Sequence, residues 1–442
     1  MQVLSKRDLS KVCTAVDACR SVSDTVPVAT GDAAAIVHPI PEQRREEQKP
    51  VWWVLGILSL LMGFASISTD LYLPAMPAMG LALQASTGLV EWTVSGYLIG
   101  FSLGQLFWGP VSDRYGRRAP VAVGVALFVI GSAGCALAGS AATMIAWRIV
   151  QAIGASAGVV LSRAMVRDLY SGRRAAQMLS TLITVMAIAP LLGPLAGGQI
   201  LVLAGWRAIF WVLVVLGLIT IAAIFTLPET HPAERRNGVP LARAFLQYGE
   251  LLRHRRLLGY AGAGAFFYGG VFAYIAGTPF AFIAYHHVPA QLYGLLFAAG
   301  IAGIMATNTL NSRLVLRFGG DRLLAAGTIM GAASGILVAT AAWSGWGGLW
   351  GLAVPLFIFV AASGLIVANS ISGALSHFPG RSGAVSALVG ALQYGSGIIG
   401  SGLVGAFTDG TPWAMGWVIA LAGIGSVLSA GLIRAEHRRQ DH

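Results

Sequence analysis

Residues 90–139 read VEWTVSGYLIGFSLGQLFWGPVSDRYGRRAPVAVGVALFVIGSAGCALAG. Two apolar runs, 90–112 and 119–139, flank one short charged turn that begins at Asp113 and ends at Arg118. Each run is long enough to cross a bilayer as a helix, which takes about 20 apolar residues. Lipid offers backbone N–H and C=O groups no partner, so such a run closes its hydrogen bonds within itself as a helix. The pattern extends in both directions. One run, 51–76, lies upstream. Downstream are 142–166, 175–203, 207–227, 257–284, 291–314, 322–342, 348–371, 382–407 and 412–434, so twelve spans are expected.

Composition agrees with this reading. The 442 residues are 56% apolar and 11% charged, against about 25% charged in a soluble domain. A soluble enzyme, a nucleic-acid binder and a disordered chain are thereby excluded. Glycine, at 57 residues, suits close helix packing in lipid. The net charge of +11 is distributed as in a membrane protein. Residues 1–50 balance seven basic against seven acidic side chains, and no lysine follows Lys49. Of the 22 arginines after residue 50, twenty fall in alternate gaps between runs, headed by Arg114, Arg117 and Arg118; Arg207 lies on the other side and Arg148 inside a run. The positive-inside rule then puts both termini in the cytoplasm.

The chain divides in two around 228–256, the longest gap after the tail, which carries Pro228, Pro232, Pro240 and six arginines. Arg114-Tyr-Gly116 after the second run recurs as Arg317-Phe-Gly319 after the eighth, and Pro74 of the first run as Pro279 of the seventh. The expected organisation is a disordered tail over 1–50, a six-helix bundle over 51–227, a cytoplasmic linker over 228–256, a second bundle over 257–434 and a short cytoplasmic tail over 435–442. The tail has no apolar core of the signal-peptide kind. Repeated bundles are a transporter architecture, with the binding site between them near the midplane.

Few acids lie at membrane depth. Asp70 sits in Ser68-Thr-Asp70-Leu-Tyr72-Leu-Pro74-Ala-Met-Pro77, and i, i+4, i+7 spacing puts Asp70, Pro74 and Pro77 on one expected helical face. A charge there costs about 2.5–3.5 kcal/mol on insertion scales, so it marks an ion or substrate path or a structural ion pair. Arg148 enters the same outer half of the bilayer from the fourth run, with Gln151 on its face. Glu91 lies near the outer end of the second run, as an interface or cavity-mouth residue. The aromatic seventh run offers Phe267 and Tyr274 to an apolar ligand, and Gln393 is a polar group at lipid depth in the eleventh. Gly96, Gly100 and Gly104 form a small-residue ridge on the second run, and Gly397, Ser401 and Gly405 on the eleventh. Cys13, Cys19 and Cys135 build no disulfide framework, and the eight histidines show no metal-ligand spacing. With no lysine after the tail there is no P-loop, which excludes an ATP-driven pump for this chain alone. Nothing calls for a cofactor.

Gly109-Pro-Val-Ser-Asp113-Arg114-Tyr-Gly116-Arg117-Arg118 resembles the G-x-x-x-D-x-x-G-R-[KR] signature of the major facilitator superfamily at every defined position. Arg148-Ile-Val-Gln151-Ala-Ile-Gly154 resembles its fourth-helix R-x-x-Q-G motif, with Ala152 in place of the glycine. Gly193-Pro194-Leu-Ala-Gly197-Gly198 resembles the fifth-helix antiporter motif, with Ala189 where the leading glycine stands. The Asp70 segment, Arg163-Ala-Met-Val-Arg167-Asp168 and Ala276-Gly-Thr-Pro279-Phe look like the bicyclomycin-resistance (Bcr/CflA) branch of drug:proton antiporters.

That resemblance implies an all-α fold of twelve membrane helices in the bacterial inner membrane. It implies a monomer whose partners are an amphiphilic drug such as a phenicol or bicyclomycin, protons and the lipid bilayer. Asp70 becomes the proton-coupling acid and Arg148 the residue that tunes it. Tyr72, Glu91, Gln151, Phe267, Tyr274 and Gln393 are the candidate substrate contacts. Asp113 and Arg117 become a latch between the bundles, one-sided because Leu316 stands where its second-half acid would be. The alternative is a facilitator or proton-linked carrier of a small metabolite, with narrow saturation and no resistance on overexpression.

Overall fold

The computed structural model describes residues 51–170, 172–232, 234, 236, 249–376, 378 and 382–440. The tail over 1–50 and, within the 228–256 linker, residues 233, 235 and 237–248 lie outside these residues. The described part is helical: α1 (Val51–Asp70), α2 (Met76–Ala82), α3 (Thr87–Tyr115), α4 (Arg118–Leu137), α5 (Ala141–Leu169), α6 (Gly172–Ala204) and α7 (Trp206–Ile224). There follow α8 (Arg255–Pro279), α9 (Ala290–Phe318), α10 (Gly320–Ser344), α11 (Gly348–Ala361), α12 (Ser363–Ser376), α13 (Ser382–Phe407) and α14 (Trp413–Gln440).

Ten segments among the described residues are long and apolar enough to cross a membrane, counting α1 with α2 and α11 with α12 as one each. The 29-residue α3 is long enough but less apolar. It carries buried polar residues on two faces, Glu91 and Ser95 on one and Thr93 and Tyr97 on the other. Of α6, Ile188–Ala204 is apolar over less than a full span. Large apolar side chains such as Leu103 and Phe107 of α3 and Leu218 and Ile219 of α7 are exposed, as lipid-facing surface requires.

Local chemistry sets the ends. Ser86 caps α3 by accepting from the Leu89 N–H, and Ser140 with Thr143 forms a reciprocal capping box on α5. Gly116 and Gly319 stop α3 and α9 with φ of +89° and +79°, backbone that favours glycine. They are the glycines of the Arg-x-Gly repeat, so the two copies end their helices in the same way.

Three spans depart from the expected continuous helix. α1 stops at Asp70, and a 3₁₀ turn over Leu73–Ala75 leads into α2. Asp70, Pro74 and Pro77 therefore do not share one helical face. Proline supplies no N–H to the ladder, and two of them in four residues end it. Pro279 likewise ends α8, and Phe280–Tyr285 continue as a π turn. The tenth span divides at Ala362 into α11 and α12.

Within α1–α7 the tightest contact is glycine-made. The Gly96, Gly100 and Gly104 ridge of α3 lies on Ile145, Ile149 and Ile153 of α5, so it packs one half internally. Contacts joining α1–α7 to α8–α14 run along α3 with α13 and α6 with α9. Gly88 meets the Gly405 carbonyl, the Ser95 and Ser401 hydroxyls lie 2.8 Å apart, and Gly198 meets the Ala290 carbonyl. All of these are near one end. At the arginine-rich end Tyr115 of α3 is exposed, and Leu316 of α9 is 91% exposed.

Candidate functional site

Asp70 closes α1 at the point where its hydrogen-bond ladder stops, and only 5% of its surface is exposed. Close packing by α6 holds it there. Gly193 lies against the Asp70 Cβ, and a Cβ at Gly197 would collide with the Leu71 carbonyl. The Gly-Pro-x-x-Gly-Gly run thus works as a smooth face. Its first two glycines admit the α1 break, and Gly198 admits the start of α9.

Arg148 is fully buried, without measurable exposure. Its Nη1 donates to the Ser68 carbonyl at 2.9 Å and to Gln151 Oε1 at 2.7 Å. Gln151 Nε2 passes the chain on to Ser132 Oγ at 2.7 Å. The guanidinium lies between two rings, with the Tyr72 centroid at 4.1 Å and that of Tyr97 at 4.3 Å. Such cation–π contacts are worth about 2 kcal/mol when desolvated. Tyr97 shares a hydrogen bond with Ser68 Oγ at 2.6 Å, and Tyr72 one with Thr93 Oγ1 at 3.1 Å. Nε and Nη2 of Arg148 have no hydrogen-bond partner.

Asp70 and Arg148 are in electrostatic reach of each other but form no ion pair. The hydroxyls of Tyr274 and Tyr293, from the second half, are in electrostatic reach of Asp70 as well. Tyr274 stacks on Phe297 at 5.6 Å. Asp70, Tyr72, Arg148, Gln151 and Tyr274 are therefore gathered in one region.

Other candidates lie elsewhere. Phe267, read from sequence as a cavity residue, is fully buried and stacks on Phe359 at 5.0 Å inside the second half. Gln393 is buried with its amide nitrogen against Gly264. Glu91 sits at the seam of α3 with the second half, away from the Arg148 cluster. Sequence reasoning passed over Tyr97 and Phe101, and it picked out Tyr268 and Phe272 of the seventh run and Tyr394 of the eleventh without choosing them as site residues; the last three form a ring group with Phe101. In that group Tyr394 lies 5.2 Å from Phe101 across the halves, 6.1 Å from Tyr268 and 6.2 Å from Phe272. Tyr268 and Tyr394 are half-buried, which leaves part of each ring open. The signal was there: Thr93, Tyr97 and Phe101 share one face of α3 at i, i+4, i+8.

The charged turn makes its own network. Arg117 donates from Nη1 to Asp113 at 2.6 Å and to Ser112 Oγ at 2.6 Å, and from Nε to Asp168 at 2.9 Å. Glu229 accepts from the backbone N–H of Arg117 at 2.8 Å and of Arg118 at 3.1 Å. Burial pushes the Glu229 carboxyl up, but N–H donation from Arg117, His231 and Arg118 and the charge of Arg236 hold it below the usual carboxylate range. These partners come from the first half and, with Glu229, His231 and Arg236, from the start of the linker. The Asp113–Arg117 pair expected as a latch between bundles is, in this conformation, a clasp of the first bundle with the start of the linker. Gly109 has open space around it, and Arg114 lies over its neighbour Tyr115. Among the described residues no three His, Cys, Asp or Glu side chains gather to hold a metal.

Residues 58–401 match the family model of the Major Facilitator Superfamily. The chain is 36% identical over 399 residues to an uncharacterised MFS-type transporter of Bacillus subtilis, covering 88% of this chain and 96% of that protein. It is 32% identical to the bicyclomycin resistance protein homolog of Haemophilus influenzae, with coverage of 85% and 94%. To the chloramphenicol resistance protein of Pseudomonas aeruginosa it is 33% identical, with coverage of 79% and 83%. Among solved structures, a nucleoside transporter superposes with a TM-score of 0.69 at 14% identity, covering 86% of this chain and 98% of that one. A D-xylose-proton symporter gives 0.67 at 20% identity, with coverage of 86% and 95%.

Proposed function

The chain belongs to the major facilitator superfamily, is a multi-pass membrane transporter, and from that premise we propose that it exports amphiphilic drugs in exchange for protons by alternating access. The observation that carries the proposal is Asp70, an acid buried at a helix break without an ion pair, beside an arginine with two uncommitted donors. A carboxyl held this way can gain and lose a proton without breaking a salt bridge. The names of the Haemophilus, Pseudomonas and other relatives support drugs as the cargo.

The arginine-rich ends face the cytoplasm in this reading, with residues 51–227 and 257–434 as the two rocking bundles. The conformation described is then shut outside and open inside. A drug enters from the cytoplasm to a site walled by Tyr268, Phe272 and Tyr394, while Asp70 is unprotonated. When the bundles rock, Asp70 takes a proton from outside and the drug leaves. The protonated carrier returns and releases the proton inward. A charge moving inward gains about 2.3 kcal/mol per 100 mV. Arg148 steadies Asp70 by fixing the Ser68 carbonyl two residues before it.

The test is uptake of a phenicol into everted membrane vesicles, with and without a protonophore, for wild type and Asp70→Asn. Wild type is expected to accumulate drug only while the proton gradient lasts, and Asp70→Asn to lose that accumulation. Full proton-driven uptake by Asp70→Asn overturns the coupling role, and the absence of any phenicol uptake by wild type overturns the cargo.

A further inference from the structure

A second acid lies at the outer seam, and the transport cycle above makes no use of it. We propose that Glu91 binds a proton from the outer side and that this proton is what lets the seam shut. The proposal rests on the alternating-access reading but on neither the cargo nor Asp70.

Glu91 belongs to α3 and is 2% exposed. Its Oε2 is buried with no hydrogen-bond partner, and the ion pairs among the described residues are those of Arg117. Beside it lies a cavity of about 40 Å³, room for a water or two. Thr87 lines it from α3, Phe280 and Tyr285 from the π turn, Thr408 from the end of α13 and Met415 from α14. The cavity thus straddles the seam between the halves, where Gly88 touches the Gly405 carbonyl and Ser95 bonds Ser401.

Shutting such a seam takes the carboxyl out of bulk water and gives its Oε2 no protein donor in return. The charged form loses far more by this than the neutral acid. Closure and protonation are therefore linked: the shut seam holds the proton, and ionisation favours the open, wetted side chain. Neighbouring groups do not offset this. Tyr285 shares the cavity; His286 and His287 follow it; Asp409 follows Thr408 at the rim. Thr411 donates its hydroxyl and N–H to Asp409 and holds that carboxyl below its usual range, so a negative charge already stands at the rim. The described stretches of α2 (Met76–Ala82) and of Trp413–Met415 carry no titratable group. Arg148 is held by Ser68 and Gln151, and Arg207 by the Ala138 carbonyl and the Trp206 ring. The Glu91 proton comes and goes on one side, so it gates the cycle without adding to the protons carried.

The experiment follows the seam directly. The full chain, with Cys13, Cys19 and Cys135 replaced by alanine, carries spin labels at Leu89→Cys and Phe407→Cys. Both positions are exposed, one on each side of the seam. Label separation is measured in lipid nanodiscs from about pH 5 to about pH 9. A single linked proton shifts the open-to-shut ratio by up to about tenfold per pH unit. Wild type is expected to open as pH rises, and Glu91→Gln and Glu91→Leu to stay shut throughout. The same response is expected in an Asp70→Asn background. A pH-independent wild type overturns the proposal, as does a response retained by both Glu91 variants. A response that vanishes with Asp70→Asn alone also overturns it and assigns the proton to Asp70.

Discussion

The guanidinium of Arg148 reaches the main-chain carbonyl of Ser68 and stops two residues short of the Asp70 carboxylate. The arginine thus fixes the end of α1 rather than neutralising the acid. Arg148→Ala leaves the Ser68 carbonyl and Gln151 without their donor in a dry site, at about 1–3 kcal/mol for each unmet group. Arg148→Lys keeps the charge but not the planar fit between Tyr72 and Tyr97. Both variants are expected to melt lower in detergent, alanine more than lysine, and to transport at less than a tenth of the wild-type rate.

Gly197 tests the closeness of α6 to the α1 break. Alanine there drives a Cβ into the Leu71 carbonyl, whereas alanine at Gly56 meets open space. Overpacking of this kind costs about 1–3 kcal/mol. Gly197→Ala is expected to lower the melting temperature and the transport rate, and Gly56→Ala to leave both unchanged.

The Ser95 and Ser401 hydroxyls meet at 2.8 Å across the seam. Replacing both by cysteine is expected to give a disulfide under mild oxidation. Transport should then fall below about a tenth of wild type and recover with dithiothreitol. Crosslinking with undiminished transport contradicts a seam that must open.

Spans were legible because apolar runs and arginine gaps are one-dimensional signals, and their expected boundaries fall close to those of α3, α4, α5 and α13. The breaks were not. Pro74 and Pro279 announce trouble, but whether a proline kinks or ends a helix depends on what packs beside it, which for Pro74 is Gly197 of α6. The site was legible where a side chain is its own signal, as with Asp70, Arg148 and Gln151. It was illegible where a main-chain group does the work: no residue type marks the Ser68 carbonyl as the partner of Arg148. Phe267 and Tyr274 lie on the same aromatic helix seven residues apart. Only the packing of Phe359 against one and Phe297 against the other separates a core ring from one near Asp70.

Glu229 gives the clasp around Arg117 a pH signature. Its carboxyl is held below the ordinary value of 4.5, so its contribution is present above that value and lost as pH falls through the lowered one. Backbone N–H bonds to an ionised group are strong, but this one is largely open to solvent, so about 1 kcal/mol is expected. Wild type should melt higher than Glu229→Gln at neutral pH, and the difference should shrink as the medium is acidified below about pH 4.

The seam between Gly88 and Gly405 is backbone against backbone, with no side chain to exchange for another. Tyr268, Phe272 and Tyr394 meet one another through side chains alone, and two of them, Tyr268 and Tyr394, are half-buried. In the drug export proposed above, the two regions have different evolutionary latitude. Under that proposal, shifts in cargo preference accumulate as ring replacements, while the glycines stay frozen, since any heavier residue there wedges the closure open for every compound alike.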